Sequence, residues 1–232
     1  MRGFFCYFCV TNSQNIMDVV RLYQFISQTR RSGSSGYESD TEFNANLSLV
    51  DEDVYRTLVP FYSKDDRIQK LMAPFLETSE LPVTDGYIDI PADFNKYIDT
   101  IFGDWDKIVY PRNLNEKSRI TSSPIDNPDI DSEEYYCFFE GNRISYLPSE
   151  VEECSLVYLR VPVPGEIKFE YEEDEDNDYI TPVQVRPIEW PDELFGLFAA
   201  LMLEKYGFQN RESVAIEYSN LGINRELANT TR

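Results

Sequence analysis

Apolar side chains recur every three or four residues over the first third of the chain, which is the spacing of amphipathic helices. The pattern predicts one helix over residues 17–31, a flexible Ser/Gly turn at 32–36 and a second, longer helix over 41–62. Pro60 should end or kink this second helix, because proline has no backbone N–H to donate. A third helical piece is expected over residues 64–76.

After about residue 81 the pattern changes to alternating apolar and polar positions, which is typical of strands. The clearest hairpin is predicted where strands over 135–139 and 143–147 flank a short Glu-Gly-Asn turn at 140–142. Residues 123–134 are expected to form an exposed loop. The further strands are predicted at residues 87–91, 97–102, 107–110, 155–161, 167–171 and 183–188.

Helical spacing returns near residue 190. Pro191 suits the first turn of a helix, the two acids after it suit the helix dipole, and Gly207 is expected to cap the C-terminal end. We expect Leu201 to lie in the core, so that Leu201→Ala costs on the order of 2–5 kcal/mol. A weaker helix is expected over residues 212–227. The apolar face of the main helix is predicted to consist of Leu194, Leu197, Phe198, Leu201 and Met202.

This order of helices, strands and helices favours an α+β fold. It predicts N- and C-terminal helices packed together, with a small antiparallel β-domain inserted between them. Met17 reads as a clean helix start, so we expect either that it is the functional start or that residues 1–16 are disordered, and in both cases that this segment is dispensable. The predicted parts are an extension at 1–16, a helical part at 17–80 together with 190–227, a β-rich domain at 81–189, and C-terminal helices within 190–232.

The charge balance narrows the possible functions. The chain has 42 acidic and 21 basic residues, a net charge of −21, so its surface repels free nucleic acid and anionic lipid. It has no histidine, which excludes the Ser–His–Asp triad, the Cys–His pair and His-based zinc sites. It also has no glycine-rich phosphate loop. We therefore expect no enzyme, no catalytic residue and no cofactor.

The cysteines do not predict a metal site. Cys6 and Cys9 form a C-x-x-C pair, but a four-thiolate zinc site usually needs a second closely spaced pair. Cys137 and Cys154 are expected to be reduced thiols packed as small hydrophobic side chains.

Seven of the nine residues at 170–178 are acidic, and this is the sharpest feature of the sequence. The aspartates at 174, 176 and 178 have the spacing that opens a calcium loop, but Tyr179 and Val185 stand where such a loop needs Gly and Glu. A carboxylate pair for glycoside hydrolysis is a second interpretation. A solvated hairpin tip, between strands that end near Tyr171 and resume near Val183, is the simplest. The candidate residues for lining a channel or docking a partner are Glu172, Glu173, Asp174, Glu175, Asp176 and Asp178.

The loose basic residues are too few for a nucleic-acid interface against this negative charge, and they are expected to serve as helix ends and salt-bridge partners. Trp190 before the last apolar helix is expected to fix the helix entry, although an aromatic binding box is an alternative. The loose basic residues considered are Arg30, Arg31, Arg112, Lys117 and Arg119.

Several short motifs occur in an order that resembles one protein family. A Ser/Gly break at 32–36 follows the first helix, and a strand ends in Pro before an acidic-aromatic pair at 87–94. Strand motifs at 143–148 and 157–162 then precede an acidic turn and the helix entry at 188–194. With its motifs in this order, the chain resembles structural head–tail connector or ring proteins of tailed phages, including crAss-like and related podovirus-type phages. The resemblance covers about Met17 to Gly222.

The resemblance implies a virion structural protein, made in the bacterial host cytoplasm, that forms a homo-oligomeric ring below the portal. Its implied partners are copies of itself, the portal or other tail proteins, and double-stranded DNA that passes without sequence-specific binding. No membrane is implied. An acidic lumen would repel phosphates, which agrees with the charge of the chain. The alternatives are a carboxylate-based hydrolase, with two buried acids facing a cleft, and a monomeric acidic module such as a DNA mimic.

Overall fold

The computed structural model describes residues 16–31, 39–103, 107–174 and 177–207, with 31, 171–174 and 177–180 described as backbone only. The described part is a mixed α/β chain of the α+β kind, with small sheets that are mostly antiparallel. The helices are α1 (Val19–Arg31), α2 (Asp40–Leu58), α3 (Asp66–Leu71), α4 (Leu114–Ser122) and α5 (Phe195–Lys205). The strands are β1 (Ile16–Met17), β2 (Leu76–Pro82), β3 (Tyr87–Asp89), β4 (Phe94–Ile101), β5 (Ile108–Arg112), β6 (Glu134–Glu140), β7 (Arg143–Leu147), β8 (Glu153–Arg160), β9 (Glu166–Asp174), β10 (Asn177–Arg186) and β11 (Ile188–Pro191).

The chain divides into two compact units. The helical unit comprises the described residues up to Pro74 and from Pro162 onward, and the sandwich unit is Phe75–Val161. The helical unit therefore includes β9 and β10, which the sequence analysis assigned to a β-rich domain at 81–189. These two strands belong with the helices because they pack against α1 and α2.

In the helical unit, side-chain caps start the first two helices. The Asp18 carboxylate accepts hydrogen bonds from the backbone N–H groups of Val20 and Arg21, and the Ser39 hydroxyl accepts one from Glu42. A 3-10 turn at Val59–Phe61 follows α2, in agreement with the predicted effect of Pro60. The core of this unit includes the fully buried Leu22, Ile26, Phe43, Val50, Val54, Leu58, Trp190, Phe198 and Met202.

Helix α5 has the predicted apolar face with one exception. Leu194, Leu197, Phe198 and Met202 are buried, and Gly207 has the positive φ of a helix C-cap. Leu201, however, is only half-buried, so the prediction that it lies in the core is wrong. Most of the circumference of this helix is covered, since Leu197, Ala200, Met202 and Leu203 are all buried, and Leu201 keeps partial access to solvent among them.

The sandwich unit contains two sheets, with strand orders β2-β8-β4 and β3-β7-β6-β5. The β5–β6 pair is parallel and the other pairs are antiparallel. The predicted β6–β7 hairpin is confirmed, with Glu140 opposite Arg143 and Gly141 at φ +63°. Inward-facing residues of both sheets form one core that contains Ile88, Phe102, Val109, Tyr135, Cys137, Ile144, Tyr146, Cys154, Leu156 and Tyr158.

Two elements of the sandwich unit differ from the sequence analysis. The helical piece predicted over 64–76 ends before Leu76, which begins the edge strand β2, and neither β2 nor helix α4 was predicted. Both segments are polar and mostly exposed, so neither carries a strong apolar period. Among the described helices, none is long and apolar enough to cross a membrane. Residues 1–15 of the extension predicted at 1–16, and the segments predicted at 32–36 and 212–227, lie outside the described residues. Ile16, the last residue of that extension, is paired with Pro191 in the β1–β11 ladder, and the first helix begins at Val19 rather than at Met17.

Candidate functional site

The acidic segment lies on an antiparallel ribbon formed by β9 and β10, which we call the acidic ribbon. In the ribbon, Glu173 stands opposite Asp178 and Glu172 stands opposite Tyr179. Two carboxylates at directly opposed positions repel each other. The pairing of the two strands therefore brings the acidic residues together at the end of the ribbon where β9 ends and β10 begins.

The paired strands are longer than the sequence pattern predicted. Pairing continues to Asp174 and resumes at Asn177, instead of ending near Tyr171 and resuming near Val183. Four of the candidate residues thus occupy strand positions rather than a loop: Glu172, Glu173, Asp174 and Asp178. The other two candidates, Glu175 and Asp176, lie outside the described residues.

The base of the acidic ribbon is fixed to the helices. Ile167 and Phe169 are buried, and the Phe169 ring packs edge-on against Tyr23 of α1 with 5.2 Å between centroids. The Asn44 side chain on α2 donates to the Ile167 carbonyl at 2.8 Å and accepts from the Ile167 N–H at 3.0 Å. These two hydrogen bonds satisfy the backbone of β9 on the edge that does not face β10. Beyond this base, Glu170 is exposed.

The described residues contain no group of three acidic, cysteine or histidine side chains that could hold a metal ion. The paired backbone at Asp174 and Asp178 also differs from a calcium loop, whose ligands come from consecutive turns around the ion.

Many of the Lys and Arg side chains form ion pairs with carboxylates of the same chain. Even complete pairing would leave an excess of 21 carboxylates over the whole chain. The pairs that the described residues form include Arg21–Asp192, Arg56–Glu52, Lys117–Glu140, Arg119–Asp126, Arg143–Asp89, Arg160–Glu77, Arg186–Glu166 and Lys205–Asp53.

A polar cluster under α4 has residue types that some hydrolases use. The Lys117 ammonium donates to Glu140, to the Ser145 hydroxyl at 2.9 Å and to the Tyr87 hydroxyl at 3.3 Å. The Ser145 hydroxyl in turn donates to Glu140 at 2.7 Å. Sequence analysis treated Lys117 as a loose surface cation, because spacing alone does not reveal that α4 lies over the sheet.

The hydrogen bonds of this cluster connect α4 to the strands beneath it. Burial alone would lower the pKa of Lys117, but its hydrogen bonds to Glu140 and Tyr87 outweigh burial and raise that pKa. The hydrogen bond from Lys117 lowers the pKa of Glu140, against the effect of burial. The lysine is therefore a cation at neutral pH and is not available as a general base. Ser145 is 1% exposed, which leaves its hydroxyl out of reach of a substrate.

Two further interpretations of the sequence can be compared with the structure. Trp190 is fully buried and its indole N–H donates to the Asp51 carboxylate, so it does not line an exposed aromatic box. The other cations from the sequence analysis are dispersed: Arg30 stacks on Tyr206, Arg112 stacks on Tyr136, Arg119 pairs with Asp126, and Arg31 is the last residue of α1.

Compared with known proteins, the chain matches no family model and no curated protein. Function therefore has to be inferred from the charge, geometry and motif order of the chain itself.

Proposed function

We propose that the chain is a virion structural protein of a tailed phage, a subunit of a head–tail connector or tail ring. In this role it assembles as a homo-oligomer below the portal and lets double-stranded DNA pass. The order of the motifs between 32 and 194 suggested this family. The charge of the chain is the observation that carries the proposal.

A ring around a moving duplex must not bind it tightly. Duplex DNA carries about one phosphate charge per 1.7 Å, and proteins bind it mainly through unpaired Lys and Arg side chains. Here many cations already contact the chain's own carboxylates, and a net charge of −21 remains. Such a surface repels phosphates while it leaves DNA free to slide.

The proposal includes a specific arrangement, in which helices from both ends of the chain form one body and the sandwich unit is an insertion. Helices α1 and α5 make contact through the Phe25 and Phe195 rings, 5.8 Å apart, and Arg21 stacks on Phe195 at 4.2 Å. Phe25 remains 43% exposed and Ile16 55% exposed. Aromatic residues and arginine are enriched at protein interfaces, so this face suits contact between subunits.

The test is the assembly state of the purified chain. We expect mass photometry and cryo-EM images to show closed rings with a central hole, and we expect no shift of a duplex DNA in a low-salt mobility assay. A chain that stays monomeric at every concentration, with or without a portal protein, contradicts the proposal.

The same measurements separate the alternatives. A DNA mimic would be a monomer that competes with DNA for a basic DNA-binding protein. A carboxylate-based hydrolase would release product from an oligosaccharide, and the activity would disappear when one of two acids is replaced by its amide.

A further inference from the structure

Three exposed cations lie close together in sequence on the surface of the helical unit, around the start of α3. Lys64 is in the turn before α3, and Arg67 and Lys70 are three positions apart in the helix, on the same side. All three are exposed. Within the described residues, their charged groups have no ion pair or hydrogen bond. We call these three side chains the α3 cation stripe.

The stripe is unusual because acidic residues are abundant in this chain. The nearest acid in sequence, Asp65, is the N-cap of α3 and accepts a hydrogen bond from the backbone N–H of Arg67 at 2.8 Å. Asp66 occupies the first turn, where a negative charge suits the helix dipole. Ile68 and Leu71 are buried, so they fix which side of α3 faces outward.

The acidic ribbon has the complementary charge. Positions 170, 172 and 174 of β9 are alternate positions, which share one face of a strand and are roughly 6.6 Å apart. Arg67 and Lys70 are about 4.5 Å apart along the helix axis. Their side chains are long and flexible enough to contact acidic positions at the strand spacing. We propose that the α3 cation stripe of one copy binds the acidic ribbon of a second copy of this chain.

This inference rests on the proposed function, because it assigns the contact by which the ring closes. The two surfaces are different elements of the same unit, so the contact is heterologous and each copy can bind one neighbour on each side. Electrostatic complementarity also sets the direction of the contact, since stripe against stripe and ribbon against ribbon both repel.

The experiment uses two charge-reversed full-length chains. One carries Lys64→Glu, Arg67→Glu and Lys70→Glu, and the other carries Glu170→Lys, Glu172→Lys and Asp174→Lys. In each variant alone, the stripe and the ribbon carry charges of the same sign and repel each other, so self-association should weaken on the order of tenfold or more. Mixed in equal amounts, the two chains should assemble again, because stripe and ribbon are then complementary at both contacts. The mixture should form rings with an even number of subunits in cryo-EM images.

The control chain carries Arg56→Glu, Arg119→Glu and Arg143→Glu, which makes the same change in net charge as reversal of the α3 cation stripe, but at exposed ion pairs elsewhere. It should assemble as the natural chain does, and circular dichroism should show all variants folded. The proposal is overturned if the natural chain forms rings and either reversed chain does so equally well. It is also overturned if the stripe binds duplex DNA and its reversal abolishes that binding without an effect on assembly. A natural chain that never assembles contradicts the proposed function instead.

Discussion

At the scale of the residue, Asp51 is the most constrained group of the helical unit. It is 2% exposed, and the Trp190 indole N–H donates to its carboxylate. Burial raises the pKa of Asp51 from an ordinary 3.8 to about 6; the Trp190 hydrogen bond opposes this, and the charge of Glu189 adds to it. Sequence analysis did not identify Asp51, because an acid within a helical apolar pattern looks the same whether it faces solvent or the core.

Asp51 should make stability depend on pH. Because its folded-state pKa lies above the unfolded value, the folded chain binds the extra proton, so the contribution of Asp51 to stability is largest below about pH 4 and is lost as the pH rises through about 6. A shift of this size corresponds to about 3 kcal/mol. The difference in unfolding free energy between the natural chain and Asp51→Asn should therefore change by about 2 kcal/mol from pH 4 to pH 7, as measured by urea unfolding. A pH-independent difference would contradict the assignment.

Helix α5 allows a second comparison between adjacent residues. Met202 is fully buried, whereas Leu201 is half-buried. Met202→Ala should cost on the order of 2–5 kcal/mol of stability, and Leu201→Ala clearly less, because its side chain loses less contact. Thermal unfolding of the two variants at equal concentration provides the measurement. An equal cost would show that Leu201 is covered in the solution state.

At the scale of the element, predictability followed the strength of the apolar period. Helices α1 and α2 and the β6–β7 hairpin have clear periods and were predicted, whereas α4 has only Leu114 and Ile120 as large apolar residues. Its place depends on Ile120, which packs with Phe138, and on the Lys117 hydrogen bonds to side chains distant in sequence. Such contacts cannot be predicted from local spacing. The same limit applies to the α3 cation stripe, since the ion pairs and hydrogen bonds of the other cations become known only from the folded structure.

The Lys117–Glu140 pair should contribute more to stability than an exposed pair. Their side chains are 24% and 26% exposed, and both also bond to Ser145. A double-mutant cycle with Lys117→Met and Glu140→Gln should give a coupling energy of about 1–2 kcal/mol in urea unfolding. The matched cycle at Arg143 and Asp89, which are 62% and 76% exposed, should give a coupling close to zero. Equal couplings would contradict a stabilising role for the cluster.

At the scale of the whole molecule, the sandwich unit begins and ends on neighbouring strands. Leu76 at the start of β2 is paired with Leu159 near the end of β8, so the two ends of the unit lie about 5 Å apart. The unit has its own core, which includes Cys137 and Cys154. Sequence analysis predicted an insertion but placed its end at 189, because strands β9 and β10 look like any others until their packing on helices is seen.

The sandwich unit should fold by itself. A fragment of residues 75–161 should unfold cooperatively, and its two thiols should resist a thiol reagent until denaturant is added. Both cysteines are buried, and burial raises the pKa of each to about 11, which suppresses the reactive thiolate. Rapid reaction of both thiols in buffer would show that the fragment needs the rest of the chain.

The pairing of Leu76 with Leu159 also has a consequence in polymer terms. While the sandwich unit is folded, it holds the two points where the chain leaves and re-enters the helical unit about one strand spacing apart. If the sandwich melts, the same segment becomes a long random coil, and closing a loop of its length costs about 4 kcal/mol in chain entropy. Unfolding of the sandwich unit therefore lowers the free energy of unfolding of the helical unit, even though every side-chain contact within the helical unit can still form.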